Sequence, residues 1–169
     1  SAIIPATDPN VTRSGNIGLY GNFLGSGPKN LRLMSFADVV RNTEPLAPTV
    51  VVVDYYGNQI VDQSQSDPLT LVVAAKGEAQ PFGSLYALVN QQGSAVFPEF
   101  GLAAKPGKHS IVVQASVTTV VELVFDVVVQ DCLAGEWLTS SEGLYACSKC
   151  APGFFTDGSM RNPTKCTPC

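Results

Sequence analysis

Basic charge and long apolar runs are both scarce in this chain. Lysine and arginine together number 10 against 14 acidic residues, so the formal net charge is −4 and the pI is about 4.8. A nucleic-acid-binding surface needs a surplus of basic residues, and the sequence argues against one. No apolar run approaches the roughly 18 residues of a membrane-spanning helix, so we expect no membrane span within these 169 residues.

A signal peptide is also missing from the sequence. The first ten residues, SAIIPATDPN, lack its basic and apolar regions. The cysteine count of five is odd and the last residue is Cys169. These features lead us to expect either a processed product or a piece of a longer chain, and the odd cysteine count favours a piece.

Few side chains have the chemistry of a catalyst. His109 is the only histidine, and its position after a Pro-Gly turn predicts a solvent-facing residue at a strand start rather than a member of a Ser-His-Asp triad. Glu122 and Asp126 point the same way from one predicted strand, but about 13 Å apart, too far for the carboxylate pair of a glycosidase. We therefore expect a non-enzymatic protein with no catalytic residue and no cofactor.

Four oxygen-bearing residues near one end of the predicted fold are candidate calcium ligands. They are Asp54, Asn58, Asp62 and Asp67. Their spacing matches no calcium-binding loop, and Asp and Asn are ordinary turn residues. The turn interpretation is favoured, so no metal site is predicted.

The sequence is rich in short β-branched segments. The stretch TVVELVFDVVVQDC, residues 119–132, has apolar residues at every odd position from Val121 to Val129 and Glu122, Asp126 and Gln130 among the even ones. A period of two predicts a strand with one buried face. About seven such strands separated by turn signals predict an all-β fold, with a β-sandwich over residues 46–131.

Three segments of that region resemble the invasin-type immunoglobulin-like domains. They are VVVDYYGNQIVD, QQGSAVFPEFGL and KPGKHSIVVQAS, which begin at Val51, Gln91 and Lys105. His109 stands where that family usually has an aromatic residue after Pro-Gly. The resemblance implies an immunoglobulin-like sandwich that serves as an extracellular spacer and carries no catalytic residue.

Residues 1–45 allow two interpretations. Composition alone favours an extended linker with one or two short strands. The segments GNIGLYGN and SGP, which begin at Gly15 and Ser26, resemble the end of a β-helix of the polymorphic-membrane-protein type, found in large surface proteins of algae and other protists. That resemblance implies the end of an upstream β-helix.

All five cysteines lie in the last quarter of the chain: Cys132, Cys147, Cys150, Cys166 and Cys169. The two C-x2-C pairs fit a four-thiolate zinc site, but zinc leaves the first cysteine unexplained. Disulfides in an oxidising compartment are favoured, with Cys132–Cys147 and Cys150–Cys166 as the hypothesis and Cys169 without a partner in this chain. The Asn10-Val11-Thr12 sequon is a candidate glycosylation site that agrees with that compartment.

The cysteine-rich tail also resembles a known repeat. CSKCAPGFF, which begins at Cys147, resembles the ephrin-receptor-like cysteine-rich repeat, and this implies a truncated repeat over residues 132–169. Two disulfides closing loops of about 16 residues suffice to hold so small a module, at about 3 kcal/mol each. Trp137 and Tyr145 are expected to supply its miniature core.

Together these features predict a structural or adhesive segment of an extracellular or cell-surface glycoprotein. Flagellar hairs and adhesins of protists use such assemblies of spacers and stalks. The expected partners are neighbouring domains of the same large chain, other extracellular chains and glycans, met through edge strands or exposed faces. The alternative is a receptor ectodomain fragment that binds a carbohydrate or protein ligand through loops at the end of the sandwich.

Overall fold

The computed structural model describes residues 17–18, 21–22, 27–61, 69–157 and 163–169, and within these ranges the chain is all-β. No described segment forms a helix long and apolar enough to cross a bilayer. The candidate glycosylation site Asn10 lies outside the described residues. The strand pattern expected from the period-two segments is therefore confirmed at the level of fold class.

Two sheets contain most of the strand residues. The five-stranded sheet has the order β4-β12-β11-β6-β8, and the three-stranded sheet has the order β3-β5-β9. The strands of the first are β4 Val39–Val40, β6 Thr70–Ala75, β8 Tyr86–Leu88, β11 Gly107–Ala115 and β12 Leu123–Val129. Those of the second are β3 Asn30–Ser35, β5 Thr49–Val53 and β9 Ser94–Val96.

Four antiparallel pairs complete the architecture. They are β1 Ile17–Gly18 with β2 Gly21–Asn22, β7 Gln80–Phe82 with β10 Gly101–Ala103, β13 Glu136–Ser141 with β14 Leu144–Lys149, and β15 Phe154–Phe155 with β16 Thr167–Pro168. We call residues 30–129 the sheet module and residues 132–169 the cystine module.

One hydrophobic core lies between the two sheets. The three-stranded sheet contributes Val50 and Val52, and the five-stranded sheet contributes Leu71, Ile111 and Val127, all fully buried. Each of these side chains lies on the inward face of its strand, because alternate residues of a strand point to opposite faces. The connections add large side chains to the same core: Leu46, Ile60, Phe97, Phe100 and Leu102.

The sheet module begins earlier than the boundary predicted at residues 45 and 46. Strand β3 pairs antiparallel with β5, with Leu31 opposite Val52, and β4 pairs parallel with the end of β12. Leu31 is buried in the common core. The short apolar patch around Leu31 and Leu33 therefore belongs to a sheet. A register shift between Leu33 and Ser35 explains why its alternation is hard to recognise from sequence.

The strand predicted over residues 119–132 is shorter in the structure. Val127 and Val129 are buried as expected, and Leu123 and Phe125 are half-buried. The expectation is wrong for Val121, whose side chain is 53% exposed. At Val121 the chain is not paired with β11 but forms an isolated bridge with Asn30. The alternation of inward-facing and outward-facing side chains in β12 therefore begins only at Leu123.

Candidate functional site: the joint between the two modules

Two disulfides hold the cystine module. They join Cys132 to Cys147 and Cys150 to Cys166, the same pairs as in the hypothesis from the sequence. Oxidised sulfurs are not thiolate ligands, so the zinc alternative does not apply to this structure. Within the described ranges, no group of three or more His, Cys, Asp or Glu side chains could hold a metal ion. Cys169 is a free, exposed thiol.

The cystine module has almost no core of its own. In its described part only Thr156 and Pro163 are buried. The Thr156 hydroxyl donates to the Glu136 carbonyl and accepts from the Gly135 N–H, both at 2.9 Å. Cystines and hydrogen bonds therefore replace apolar packing as the source of order, as is usual for domains of this size.

The predicted miniature core of Trp137 and Tyr145 is wrong in its arrangement. Both side chains are only half-buried. The hairpin register pairs Trp137 with Ser148 and Tyr145 with Ser140, which places the two aromatic rings on opposite faces. Tyr145 shares its face with Glu136, and this face is turned toward the sheet module.

A short ion pair crosses from one module to the other. Arg41, directly after β4, places its Nη2 atom 2.6 Å from Glu136 Oε2 at the start of β13. The Arg41 side chain is 33% exposed and that of Glu136 only 14%. The same carboxylate oxygen accepts the Leu133 N–H at 3.1 Å. A carboxylate that accepts two donors in a partly buried site forms a charge-assisted contact stronger than a surface pair.

The protonation of Glu136 reflects this environment. Burial acts to raise its pKa, but the Leu133 N–H, the Arg41 guanidinium and the charge of Lys149 outweigh burial and lower it. The ionised form is the one that the joint stabilises. The contact is therefore complete at neutral pH.

The segment that carries Arg41 is itself fixed to the sheet module. The Arg41 N–H donates to Glu44 Oε2 at 3.0 Å, and the buried Asn42 Oδ1 accepts the Ala104 N–H at 2.9 Å. Thr43 adopts a left-handed conformation with φ of 68°, and its N–H donates to the Leu102 carbonyl. This anchoring limits the entropy lost when the guanidinium reaches across the joint.

A second contact lies at the other end of the hairpin. The Lys105 ammonium lies 5.3 Å from the centre of the Tyr145 ring and 3.4 Å from Glu78 Oε2. Hydrogen bonding with Tyr145, then the hydrogen bond and charge of Glu78, raise the pKa of Lys105. All these groups are exposed or half-exposed, so this contact is weaker than that of Arg41. It nevertheless fixes a second point of the hairpin.

The third connection is covalent. Strand β12 ends at Val129, and Cys132 follows closely and is bonded to Cys147 in β14. The last strand of the sheet module is thus tied to the middle of the hairpin. Arg41 contacts the hairpin on one side of this tie, at Glu136, and Lys105 contacts it on the other side, at Tyr145.

The side chain of Asp54 stabilises the turn that follows β5. Asp54 is fully buried, and its Oδ1 accepts the Tyr56 and Asn58 N–H groups, each at 2.8 Å. Its Oδ2 accepts from Asn58 Nδ2 at 3.2 Å. The carboxylate stabilises its own turn, as the favoured interpretation expected. Asp62 and Asp67 lie outside the described residues.

His109, expected to face solvent at the start of a strand, lies in β11 and is partly exposed. It is half-buried, and its Nε2 lies 2.7 Å from the Lys105 carbonyl oxygen. Its position in β11 has the same parity as Ile111, so it lies on the inward side of the sheet.

Comparisons with known proteins add a distant structural likeness. No protein-family model matches the chain, and no curated protein matches it. Among solved structures, the chain is similar to a crystal structure of a beta-glycosidase from Bacteroides vulgatus, with a TM-score of 0.43 and 16% sequence identity. The match covers 62% of this chain and only 14% of that one.

Proposed function

We propose that this chain is a non-enzymatic structural or adhesive segment of an extracellular protein. The sheet module is the spacer, and the cystine module is the start of a stalk. The observation that carries the proposal is the three-point joint, in which the Cys132–Cys147 disulfide, the Arg41–Glu136 pair and the Lys105 contact hold the modules together. A spacer that transmits force or sets a distance needs such a fixed connection.

The order of the strands supports an immunoglobulin-like sandwich as the spacer. Taken along the chain, β3, β5, β6, β8, β9, β11 and β12 correspond to strands A, B, C, C′, E, F and G. The sheets then read A-B-E and G-F-C-C′, with β4 as an additional edge strand beside G, and this division resembles that of immunoglobulin-like domains. This likeness agrees with the invasin-type resemblance of the sequence and extends the proposed domain to about residue 30.

The disulfides also support an extracellular or cell-surface location. Disulfides persist in oxidising compartments and are rare in the cytosol, and here they replace most of a core. An algal or protist surface protein with a β-helix upstream is the parent that the sequence resemblances favour, and the Asn10 sequon is its candidate glycosylation site. A mass shift on glycosidase treatment of the chain from its source would test the glycan.

A receptor ectodomain is the second candidate, favoured by one feature of the sheet module. The Asp54 turn presents Tyr55 and Tyr56, 69% and 44% exposed, with ring centres 5.4 Å apart and planes at 87°. Tyrosines on a rigid turn are common contacts to protein partners. Binding on a glycan or protein array that Tyr56→Ala abolishes would favour the receptor over the spacer.

Backbone ¹⁵N relaxation tests the joint directly. In the unaltered chain we expect one overall correlation time for residues of both modules. The double variant Arg41→Ala/Lys105→Ala should let the cystine module tumble faster, whereas Lys76→Ala, which removes a lysine away from the joint, should change nothing. Separate tumbling of the modules in the unaltered chain would contradict the proposed spacer.

A further inference from the structure

Strand β8 is one edge of the five-stranded sheet, and among the described residues it pairs only with β6. Just outside its two ends, the Leu85 carbonyl accepts an N–H of β6 and the Val89 N–H donates to the residue before β6, each at 2.9 Å. Successive residues of a strand turn their N–H and C=O groups to opposite sides. Because Leu85, Ala87 and Val89 bond toward β6, Tyr86 and Leu88 turn their backbone groups away from it.

This outward side of β8 has no backbone partner in the part of the chain that the structure describes. Its four polar groups are the N–H and C=O of Tyr86 and Leu88, two residues that lie about 7 Å apart along the strand. The same two residues are 68% and 62% exposed, while Ala87 between them packs against the core. Unpaired backbone groups and exposed apolar side chains therefore coincide at two residues, which we call the open edge.

The other three edges of the two sheets have features that discourage strand pairing. Strand β4 has only two residues and lies between Asp38 and Arg41. Strand β3 contains Arg32 and a register shift, and β9 is followed after one residue by Pro98. Residues 84–90, around β8, include neither a charged residue nor a proline. The open edge therefore lacks the protection that the other edges of the two sheets have.

We propose that the open edge binds an extended segment of a partner protein, which adds a strand to the five-stranded sheet. An extended backbone presents donors and acceptors that complement the partial charges of Tyr86 and Leu88 at the same ~7 Å repeat. The lack of charge around β8 favours an uncharged segment whose apolar side chains lie beside these two residues. A nucleic acid or an anionic membrane would need cationic residues there. The proposal deepens the proposed adhesive function and rests on it, because it identifies the edge at which this chain meets another chain.

The length of the open edge sets the strength of the contact. Two residues that each donate and accept one hydrogen bond give four bonds to the added strand. At the modest net contribution of a hydrogen bond in water, four bonds correspond to a dissociation constant of about 1 mM. A single contact is therefore weak, and repeated contacts between chains displayed side by side should strengthen it.

Titration of the ¹⁵N-labelled full chain with a synthetic peptide tests the proposal. The peptide is Thr-Val-Thr-Val-Thr, acetylated and amidated at its ends, and Cys169 is alkylated first so that no intermolecular disulfide forms. We expect amide shifts at Tyr86 and Leu88 that saturate with a dissociation constant of about 1 mM. The same peptide methylated at every backbone nitrogen cannot donate to the edge and should not bind.

Amide hydrogen exchange supplies a control within the strand. In the free chain the Tyr86 and Leu88 amides should exchange quickly, and the Ala87 amide, which bonds toward β6, should exchange slowly. Peptide at about 5 mM should slow the first two amides about sixfold, because exchange requires the unbound state. The Ala87 amide should change little.

Two substitutions at one position separate the backbone from the side chain. Leu88→Pro removes an outward N–H at an edge position where a strand tolerates proline, and it should weaken peptide binding about tenfold or more. Leu88→Ala, the matched control, keeps the N–H and should weaken binding about threefold or less. Thermal unfolding followed by circular dichroism should show that both variants remain folded.

The proposal is overturned by any of three results: no shift changes up to about 10 mM peptide, equal weakening by the two substitutions, or slow exchange of the Tyr86 and Leu88 amides in the free chain. Peptide binding confined to another surface would also overturn it. Because ¹⁵N relaxation of the same sample reports whether the two modules tumble together, a rigid joint without peptide binding would remove the open edge and leave the spacer function intact. Separate tumbling with peptide binding would do the reverse.

Discussion

Replacing Arg41 by methionine removes the guanidinium that reaches Glu136 but keeps an unbranched side chain. The pair has a 2.6 Å contact, with side chains 33% and 14% exposed. Removing one partner of an exposed pair costs about 0.2–1 kcal/mol, and of a fully buried pair about 3–5 kcal/mol. The intermediate burial leads us to expect a loss of about 1.5–2 kcal/mol for Arg41→Met. In a double-mutant cycle with Glu136→Gln, we expect a coupling of about 1 kcal/mol.

The chain contains its own probe for this cycle. Trp137 is the only tryptophan and follows Glu136 in β13, so its fluorescence during urea unfolding reports the cystine module. The control cycle uses Lys76 and Glu122, which are 3.7 Å apart with side chains 51% and 45% exposed. Its coupling should stay below about 0.5 kcal/mol. A coupling across the joint no larger than in this control would refute the reasoning.

The coupling should also depend on pH in a definite direction. The joint lowers the pKa of Glu136, whereas an unfolded glutamate titrates near 4.3. A lowered folded-state pKa contributes stability that is fully present above the unfolded value and is lost as the pH falls through the folded value. The coupling should therefore be constant from pH 7 to about 5 and disappear in more acidic solution. A coupling that persists in the acid range would show that the charge of Glu136 is not involved.

Two further predictions concern covalent and backbone constraints. Replacing both Cys132 and Cys147 by serine should destabilise the cystine module by about 3 kcal/mol in the chain-entropy model, seen as a lower urea midpoint in tryptophan fluorescence; an unchanged midpoint would contradict it. Gly93→Ala should cost more than Gly57→Ala, because both glycines have positive φ but only at Gly93 would a Cβ collide with the Ile60 carbonyl. We expect about 1–2 kcal/mol at Gly57 and about 4 kcal/mol at Gly93 by thermal unfolding, and equal losses would disprove the collision.

The strands of the core were predictable because each is specified by its own side chains. Strand β5 is a run of valines with turn residues after it, and β12 alternates cleanly from Leu123 onward. The beginning of the sheet module was not predictable in the same way. Strand β3 has a register shift, and β4 has two residues, so neither contains a long enough period to be recognised. Both strands depend on partners that are distant in sequence.

The cysteines joined by each disulfide are close together in the sequence, whereas the two residues of the ion pair at the joint are far apart. The cystines close loops whose ends are 15 and 16 residues apart, and they join the pairs that were put forward as a hypothesis from the sequence. Arg41 and Glu136 are 95 residues apart, and neither has a neighbour in sequence that marks it. Their meeting follows from β4 lying beside β12, which brings the segment after β4 next to the exit of the last strand.

The same geometry explains why the joint needs all of its parts. The cystine module buries too little apolar surface to dock by packing alone, and a single disulfide leaves torsional freedom about its bonds. Because β4 and β12 run parallel, the segment after β4 emerges on the same side as Cys132, and Arg41 meets the hairpin where the disulfide alone would let it rotate. The two-residue edge strand β4 therefore also positions Arg41, which follows it, next to Glu136, the first residue of β13.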